Sequence, residues 1–202
     1  MDSEAATEQV IRSEAPEEAA LLRRLRAGDE AAFSELWERF GPRLVGYAAS
    51  RLGGDEGLAE DATAQSLAAA VGSIRSFDPR RSSLSSWVYG VARRVIQGEL
   101  RKQRRRASVP VSAEVPLNEE ADLLAAADPA PDVPSRLEAQ RKVRVLTTVL
   151  SQPEMEVLVL HFVDEFSVKE IARIVGRSWR AVDSLLYRAK EKARERLAQD
   201  GD

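Results

Sequence analysis

The chain has 202 residues, which suits one medium domain or two small ones, and a formal charge of −3; at 44% hydrophobic, 31% charged and 5% aromatic, two small helical cores are expected rather than one large β-rich core. It has no cysteine, which excludes a disulfide framework and a thiolate metal centre, and no apolar run approaches the ~18 residues of a membrane span. The acidic start MDSEAATEQVIRSEAPEE lacks the basic-then-apolar order of a secretory leader, so a soluble cytoplasmic protein is expected.

The near-neutral total hides strong segregation. Residues 1–20 hold six acids and one base, and residues 93–106 hold seven bases against Glu99. Residues 107–135 then hold six acids and no base, and residues 167–198 hold nine bases against four acids. Each basic patch alone points to a polyanion partner.

Residues 1–19 are read as an acidic flexible N-terminus. From 19 to 52, Leu21, Leu22, Leu25, Phe33, Leu36, Trp37, Phe40, Leu44, Val45 and Tyr47 recur at steps of three and four, the period that collects side chains on one helical face. Gly28-Asp29 stops one helix and caps the next, and Gly41-Pro42 is expected to break the second. Gly53-Gly54-Asp55 predicts a turn, 56–72 an alanine-rich helix, and FDPRRSS (77–83) a loop whose serines cap the helix that follows.

That helix, WVYGVARRVIQGELRKQRRR (87–106) with Leu84 before it, places Leu84, Val88, Val91 and Val95 in an apolar stripe. Ser86, Tyr89, Arg93, Arg94, Gln97, Arg101 and Arg104 fall on the opposite face, and five of residues 101–106 are cations. Aromatic side chains beside a file of arginines suit single-stranded nucleic acid, whose bases stack while cations track the phosphates. Trp87 is expected in the core, with the arginines, Lys102 and Arg105 toward phosphate. Gly98 is a poor helix former, costing about 1 kcal/mol relative to alanine.

Residues 107–135 carry five of the nine prolines without a sustained period, which predicts a linker. Helices resume near Arg136. In SVKEIARIVGRSWRAVDSLLYRAKEKARERL (167–197), Ser167 and Glu170 form a capping box, and Val168, Ile171, Ala172 and Val175 face inward. Gly176 supplies a left-handed turn and Ser178 caps a second helix buried through Val182, Leu185, Leu186 and Ala189. This is the pattern of a helix-turn-helix, whose second helix enters the DNA major groove. Its outward candidates are Ser178, Trp179, Arg180, Asp183, Ser184, Tyr187 and Arg188, of types that contact bases and phosphates. Trp179 has a second reading, as a packing residue folded against Val163 or Phe166.

Catalysis is disfavoured. The one histidine, His161, lies in the apolar run VLVLHFV, and Glu60-Asp61 and Glu119-Glu120 are adjacent pairs that diverge on a helix. No phosphate-binding glycine loop ending in Lys-Ser/Thr is present. No metal or cofactor is expected. A stand-alone helix-turn-helix regulator would account for 167–197 but leaves the arginine helix and the FDPRR loop without a task.

GDEAAFSELWERFGPRLVGYA, AED, FDPRRSSLSSWVYGVARR, the proline-rich linker and EVLVLHFVDEFSVKEIARIVGRSWRAVDSLLYRAKEKARERL together resemble a bacterial sigma-70 family RNA polymerase sigma factor. The likeness is to the small extracytoplasmic-function (ECF, group IV) type, which has only regions 2 and 4. It implies an all-α chain of two small helical domains, region 2 over 20–106 and region 4 over 136–198, joined by the acidic linker. It further implies that region 2 docks on the clamp of core polymerase through Glu60, Asp61 and Gln65 and opens the −10 element through residues 77–106, Trp87, Tyr89, Arg93 and Arg94 included. Region 4 would read the −35 element and touch the polymerase flap, and an anti-sigma factor is a further implied partner. The chain departs from the family pattern at Gln65 and Leu67, where an acid and an aromatic are usual, at Arg94 and Gly98, and at Leu150-Ser151, where Leu-Pro is usual. Charge complementarity adds one expectation, that the acidic N-terminus or linker folds onto the basic helices and masks them.

Overall fold

The computed structural model describes residues 17–107, 146 and 148–199. The acidic tract before Glu17, the linker and the segment up to 145 lie outside the described residues, and with them the expected masking by those tracts.

Among the described residues the secondary structure is helical, with no strand. Helix α1 covers residues 17–27. It is followed by α2 (Glu30–Arg51), α3 (Glu56–Ser73) and, after a 3₁₀ turn at Ile74–Ser76, α4 (Leu84–Ala107). The C-terminal unit holds α5 (Gln152–Phe162), α6 (Val168–Val175) and α7 (Trp179–Gln199). The boundaries follow local chemistry. Gly28 takes φ 79° and Asp29 caps α2 by accepting from the Ala31 amide at 2.9 Å. Gly53 and Gly54 turn the chain at φ 75° and 82°, and Asp55 caps α3 through the Leu58 amide at 2.9 Å. The Ser86 amide donates to Ser83 Oγ at 3.2 Å at the start of α4.

One expectation fails: α2 runs unbroken through Gly41-Pro42. An interior proline costs about 3 kcal/mol. Leu36, Phe40, Leu44 and Tyr47 are all buried on α2 across that point, and each large side chain contributes roughly 1.5–3 kcal/mol, so packing outweighs the break. Gly41 has a separate use. A Cβ there would lie 3.2 Å from the Trp37 indole, which lies along its own helix and stays 38% exposed rather than entering the core as its spacing suggests.

Helix α3 buries small residues, Ala59, Ala62, Thr63, Ser66 and Ala70 around Leu67, which lets α2 and α4 pack closely on either side of it. In α4 the buried stripe is Leu84, Val88, Val91, Ala92 and Ile96. Ile96 therefore takes the inward position expected of Val95, which is half-buried.

In the C-terminal unit the Ser151 amide and hydroxyl both donate to Glu154 Oε2, at 2.9 and 2.7 Å, and Pro153 sits in the first turn of α5. The shifted helix start at Leu150-Ser151 is thus a capping box. Glu154 also receives Lys192 Nζ at 2.8 Å, tying α7 to α5. Ser167 Oγ donates to Glu170 Oε2 at 2.7 Å, and Gly176 closes α6 at φ 67°. The largest buried apolar cluster runs from Leu21 through Tyr47 and Tyr89 to Val157, Phe166 and Leu186, because α5 packs on α2 and α6 on α4, and a smaller one of Leu150, Met155 and Ala189 lies within the C-terminal unit.

No atom lies within 4 Å of a Cβ added at Gly176, so its requirement for glycine is conformational alone. Gly176→Ala should destabilise the chain by about 1 kcal/mol, read as a lowered Tm, with Gly176→Asn losing less. Equal stability of Gly176→Ala and wild type would refute the left-handed turn.

Candidate nucleic-acid interface

All seven outward residues expected on the second helix of the helix-turn-helix are exposed: Ser178, Trp179, Arg180, Asp183, Ser184, Tyr187 and Arg188. The local sequence explains this. Ser178 Oγ accepts from the Ala181 amide at 3.3 Å and starts α7, and Val182, Leu185, Leu186 and Ala189 turn inward. Trp179 is 53% exposed with the Arg180 guanidinium 5.3 Å from its ring centroid, so it stands at the surface rather than in the core. Ser184 Oγ donates to the Arg180 carbonyl at 2.9 Å, which engages its hydrogen in the helix itself. His161 is half-buried, its Nδ1 3.0 Å from the Phe166 carbonyl oxygen, the boundary role its apolar setting implies.

On α4 the expected residues divide. Arg94, Arg101, Lys102, Arg104 and Arg105 are exposed, and the helix continues through the basic block. Trp87 is half-buried, with its ring centroid 5.2 Å from that of Phe77. Tyr89 is 2% exposed, although its spacing puts it on the open face. Ser86 is buried as well, and Arg93 and Gln97 are half-buried. What covers this side of α4 is the C-terminal unit.

Beside the apolar cluster that crosses it, the contact has polar pairs that all run in one direction. Glu156, on α5, brings one carboxylate oxygen to three side chains of the N-terminal unit. Tyr47 Oη donates to Oε1 at 2.8 Å and Arg93 Nε donates to it at 2.9 Å. Arg51 Nη1 lies 2.6 Å away in a charge contact without hydrogen-bond geometry, so it and Nε have no hydrogen-bond partner. Tyr89 Oη donates to Asp164 Oδ1 at 2.7 Å, and the Phe166 ring meets the Tyr89 ring edge-on at 4.8 Å between centroids. Ser83 and Ser86 donate weakly to Glu170 at 3.3 and 3.4 Å. Between Asp164 and Phe166, Glu165 takes φ 59°, a left-handed conformation uncommon for a residue with a Cβ, and Arg43 approaches its carboxylate at 3.8 Å. In each of these contacts the acceptor carboxylate belongs to the C-terminal unit.

Burial acts on both key carboxyls. At Glu156 it pushes the group up, but the Arg51 charge and the hydrogen bond from Arg93 outweigh it and hold the carboxyl below its ordinary value of 4.5. At Asp164 burial dominates, and despite the Tyr89 hydrogen bond and Arg43 the carboxyl is pushed up to about 6. Its Oδ2 is buried without a hydrogen-bond partner. A cleft of about 720 Å³ opens beside it, lined in part by Glu18, Arg39, Arg43, Glu165 and Glu170.

Glu60, Asp61 and Gln65 are exposed together on the outer face of α3, while Leu67 is fully buried. Gly98 is half-buried, and a Cβ there would meet only Arg101, at 4.0 Å. Packing therefore does not require glycine. Among the described residues no cluster of three or more His, Cys, Asp or Glu could hold a metal ion, and no helix is long and apolar enough to cross a membrane.

Sequence reading missed Tyr47, Arg51, Glu156 and Asp164. One signal was present: a carboxylate inside the apolar run MEVLVL must be paired if it is buried. Its partners are about 60 to 110 positions away in sequence, and no local pattern names them.

An all-helical chain carrying a basic helical bundle and an exposed helix-turn-helix has the design of a bacterial transcription-initiation factor. Sequence profiles agree: Sigma-70 region 2 matches residues 36–106 and Sigma-70, region 4 matches residues 140–192. The chain is 30% identical over 180 residues to the ECF RNA polymerase sigma factor SigF of Caulobacter vibrioides, covering 88% of this chain and 92% of that one. It is 28% identical over 184 residues to RpoE of Cereibacter sphaeroides, with 89% and 94% covered. It is 27% identical over 182 residues to BldN of Streptomyces coelicolor, where 89% of this chain spans 66% of the longer relative. The fold is shared with CnrH solved with the cytosolic domain of CnrY, at TM-score 0.65 and 23% identity over 91% of this chain and 98% of that one. It is also shared with RpoE of Bartonella quintana solved with the anti-sigma factor NepR, at TM-score 0.63 and 23% identity over 82% and 96%. The protein belongs to the ECF RNA polymerase sigma factor family.

Two outcomes follow from this geometry. Gly98→Ala should raise stability by about 0.5–1 kcal/mol, measured by urea unfolding, and a loss would mean that close packing had been overlooked. The association of the two units should also depend on pH. An exposed Asp164 titrates near 3.8 and the buried one near 6, so its contribution to closure is complete below about pH 4 and is lost as pH rises through 6. Glu156 has the opposite sign, contributing above 4.5 and losing its contribution as the pH falls below that value. Closure is then tightest near about pH 5 and loosens toward neutrality. A fluorescence distance between α3 and α7 that stays constant from pH 5 to 7.5 would contradict this, and Asp164→Asn should flatten the neutral limb.

Proposed function

We propose that this chain is a promoter-specificity subunit of RNA polymerase with no chemistry of its own, acting in the cytoplasm where polymerase works. One observation carries the reading: two separate cationic helical surfaces are built on one chain. Helix α7 presents seven exposed side chains beyond a capped, glycine-turned helix pair, and α4 carries a file of arginines with Tyr89 and Trp87 at its start. The first fits duplex DNA, where a helix enters the major groove of the −35 element. The second fits an opening −10 strand, through stacking and phosphate contacts. A regulator working alone would use only the first surface.

In this reading Arg180 and Arg188 contact bases or phosphates, with Ser178, Trp179, Asp183, Ser184 and Tyr187 around them. On α4, Tyr89, Arg93, Arg94, Gln97, Arg101, Lys102, Arg104 and Arg105 track the melted strand, and Trp87 supports Phe77 at the mouth of the loop. Glu60, Asp61 and Gln65 offer the exposed face of α3 to the polymerase clamp, and the C-terminal unit reaches the flap. The family members solved with CnrY and with the anti-sigma factor NepR support a regulatory protein partner of the same kind here.

Run-off transcription with core polymerase on a promoter library is the test. The protein should confer promoter-specific transcripts that core polymerase alone does not make. Arg180→Ala and Arg188→Ala should each cost about 1–3 kcal/mol of −35 discrimination, a loss of about five- to 150-fold, while Arg93→Ala should impair opening with −35 binding intact. Tight duplex binding by the free protein without any polymerase-dependent transcript would favour the stand-alone regulator.

A further inference from the structure

We propose that helix α1 is a splint for promoter opening, in which Glu18 and Arg26 are positioning residues that hold the two ends of the 77–84 loop and so set where Arg80 and Arg81 meet the opened strand. This rests on the reading of residues 77–106 as the strand-binding surface.

The loop leaves the core at Phe77 and returns to it at Leu84, both buried, and between them Asp78, Pro79, Arg80 and Arg81 stand exposed. Helix α1 grips each end. Arg26 Nη2 donates to the Phe77 carbonyl at 2.8 Å, and the Leu84 amide donates to Glu18 Oε1 at 3.1 Å. A separation of eight positions is about 12 Å along a helix axis, so α1 forms a bar between the two ends of the loop. The bar is itself fixed. Leu21, Leu22 and Leu25 seat it in the core, and Arg24 donates to Asp29 at 2.7 Å and to Glu35 at 2.6 Å, which ties it to α2.

Both grips take hold of main chain. Leu84 opens α4, and its amide is one of the donors that a helix start leaves without a partner in the helix. Ser83 Oγ accepts from the Ser86 amide, and the Leu84 amide is met from α1 by a carboxylate, the charge that suits a helix N-terminus. Within the loop, Asp78 Oδ1 accepts from the Arg80 amide at 3.0 Å, and the Asp78 carbonyl accepts from the Arg81 amide at 3.0 Å. Pro79 fixes its own φ in the same turn. The tip therefore has its own shape, and α1 sets its place. Phe77 and Leu84 already anchor the ends by burial, so the polar ties add direction more than adhesion. Neither tie uses a side chain of the loop, which makes what the tip presents independent of what holds it. Arginines placed in advance lower the ordering cost that a single strand otherwise meets on binding.

The test compares the full-length chain with Glu18→Ala/Arg26→Ala and with Glu18→Gln/Arg26→Lys, each assembled with core polymerase. The alanine double variant should shorten the lifetime of the open promoter complex about tenfold and weaken holoenzyme binding of a single-stranded −10 oligonucleotide by a similar factor. Its affinity for core polymerase, its −35 duplex binding and its helicity by circular dichroism should stay unchanged. The conservative double variant keeps an acceptor at 18 and a donor at 26, so it should restore most of the lifetime. Normal open-complex lifetime and strand affinity in the alanine variant overturn the proposal. Loss of core affinity and −35 binding in the same proportion also overturns it, because that marks a role in stability alone, as does a conservative variant no better than the alanine one. Arg80→Ala/Arg81→Ala separates the two readings. Normal opening with that variant places the failure in the loop as a strand-binding element, and lost opening beside a normal alanine variant of α1 places it in the splint alone.

Discussion

The arrangement of the whole molecule depends on one buried carboxylate. Glu156 is 3% exposed, and a charge removed from water to that degree must be matched within hydrogen-bonding distance or it drives the surrounding structure apart. Its partners, Tyr47, Arg51 and Arg93, lie on α2 and α4. Pairing one residue of α5 therefore fixes the position of the C-terminal unit on the N-terminal one. The Tyr47 and Tyr89 rings, 5.4 Å apart between centroids, extend the contact toward Asp164 and Phe166 and carry the apolar cluster across the seam.

The same residues have a second set of obligations. Arg93 and Tyr89 are the parts of α4 best suited to a phosphate and a base, and in the closed chain both are taken. Where α4 serves as the proposed strand-binding surface, the seam and the strand draw on the same two side chains.

Much of this architecture is legible in the sequence where the signal is local. The caps at Asp29, Ser167 and Ser178, the turn at Gly53-Gly54-Asp55, the left-handed Gly176 and the inward face of α7 stand where spacing places them, because each depends on residues within one or two turns. Local signals fail where packing overrules them. Gly41-Pro42 reads as a break, yet the buried face on both sides of it keeps α2 whole, and Trp37 leaves the core to lie over a glycine. Tyr89 and Ser86 read as open-face residues because helical period assigns one buried side per helix. Helix α4 has two, and its second partner is a unit that follows a 29-residue proline-rich tract. The family resemblance supplied the order of the parts but not their embrace, since motifs describe surfaces and say nothing of what covers them in the free chain.

The balance of the closed state follows from what the seam leaves unsatisfied. Tyr89 and Phe166 contribute edge-on ring packing and apolar burial, roughly 0.5–1.5 kcal/mol for the ring pair beyond area alone. Against them stand Arg51 Nε and Asp164 Oδ2, buried without a hydrogen bond, while Arg51 Nη1 is held 2.6 Å from Glu156. Glu156 offsets the Arg51 deficit by charge rather than by hydrogen bonding, and charge contacts at a seam weaken as water enters. Burial falls along α4 from Tyr89 through Arg93 to the exposed cations from Arg101 onward, so the seam grips this helix at its start and leaves its end to solvent.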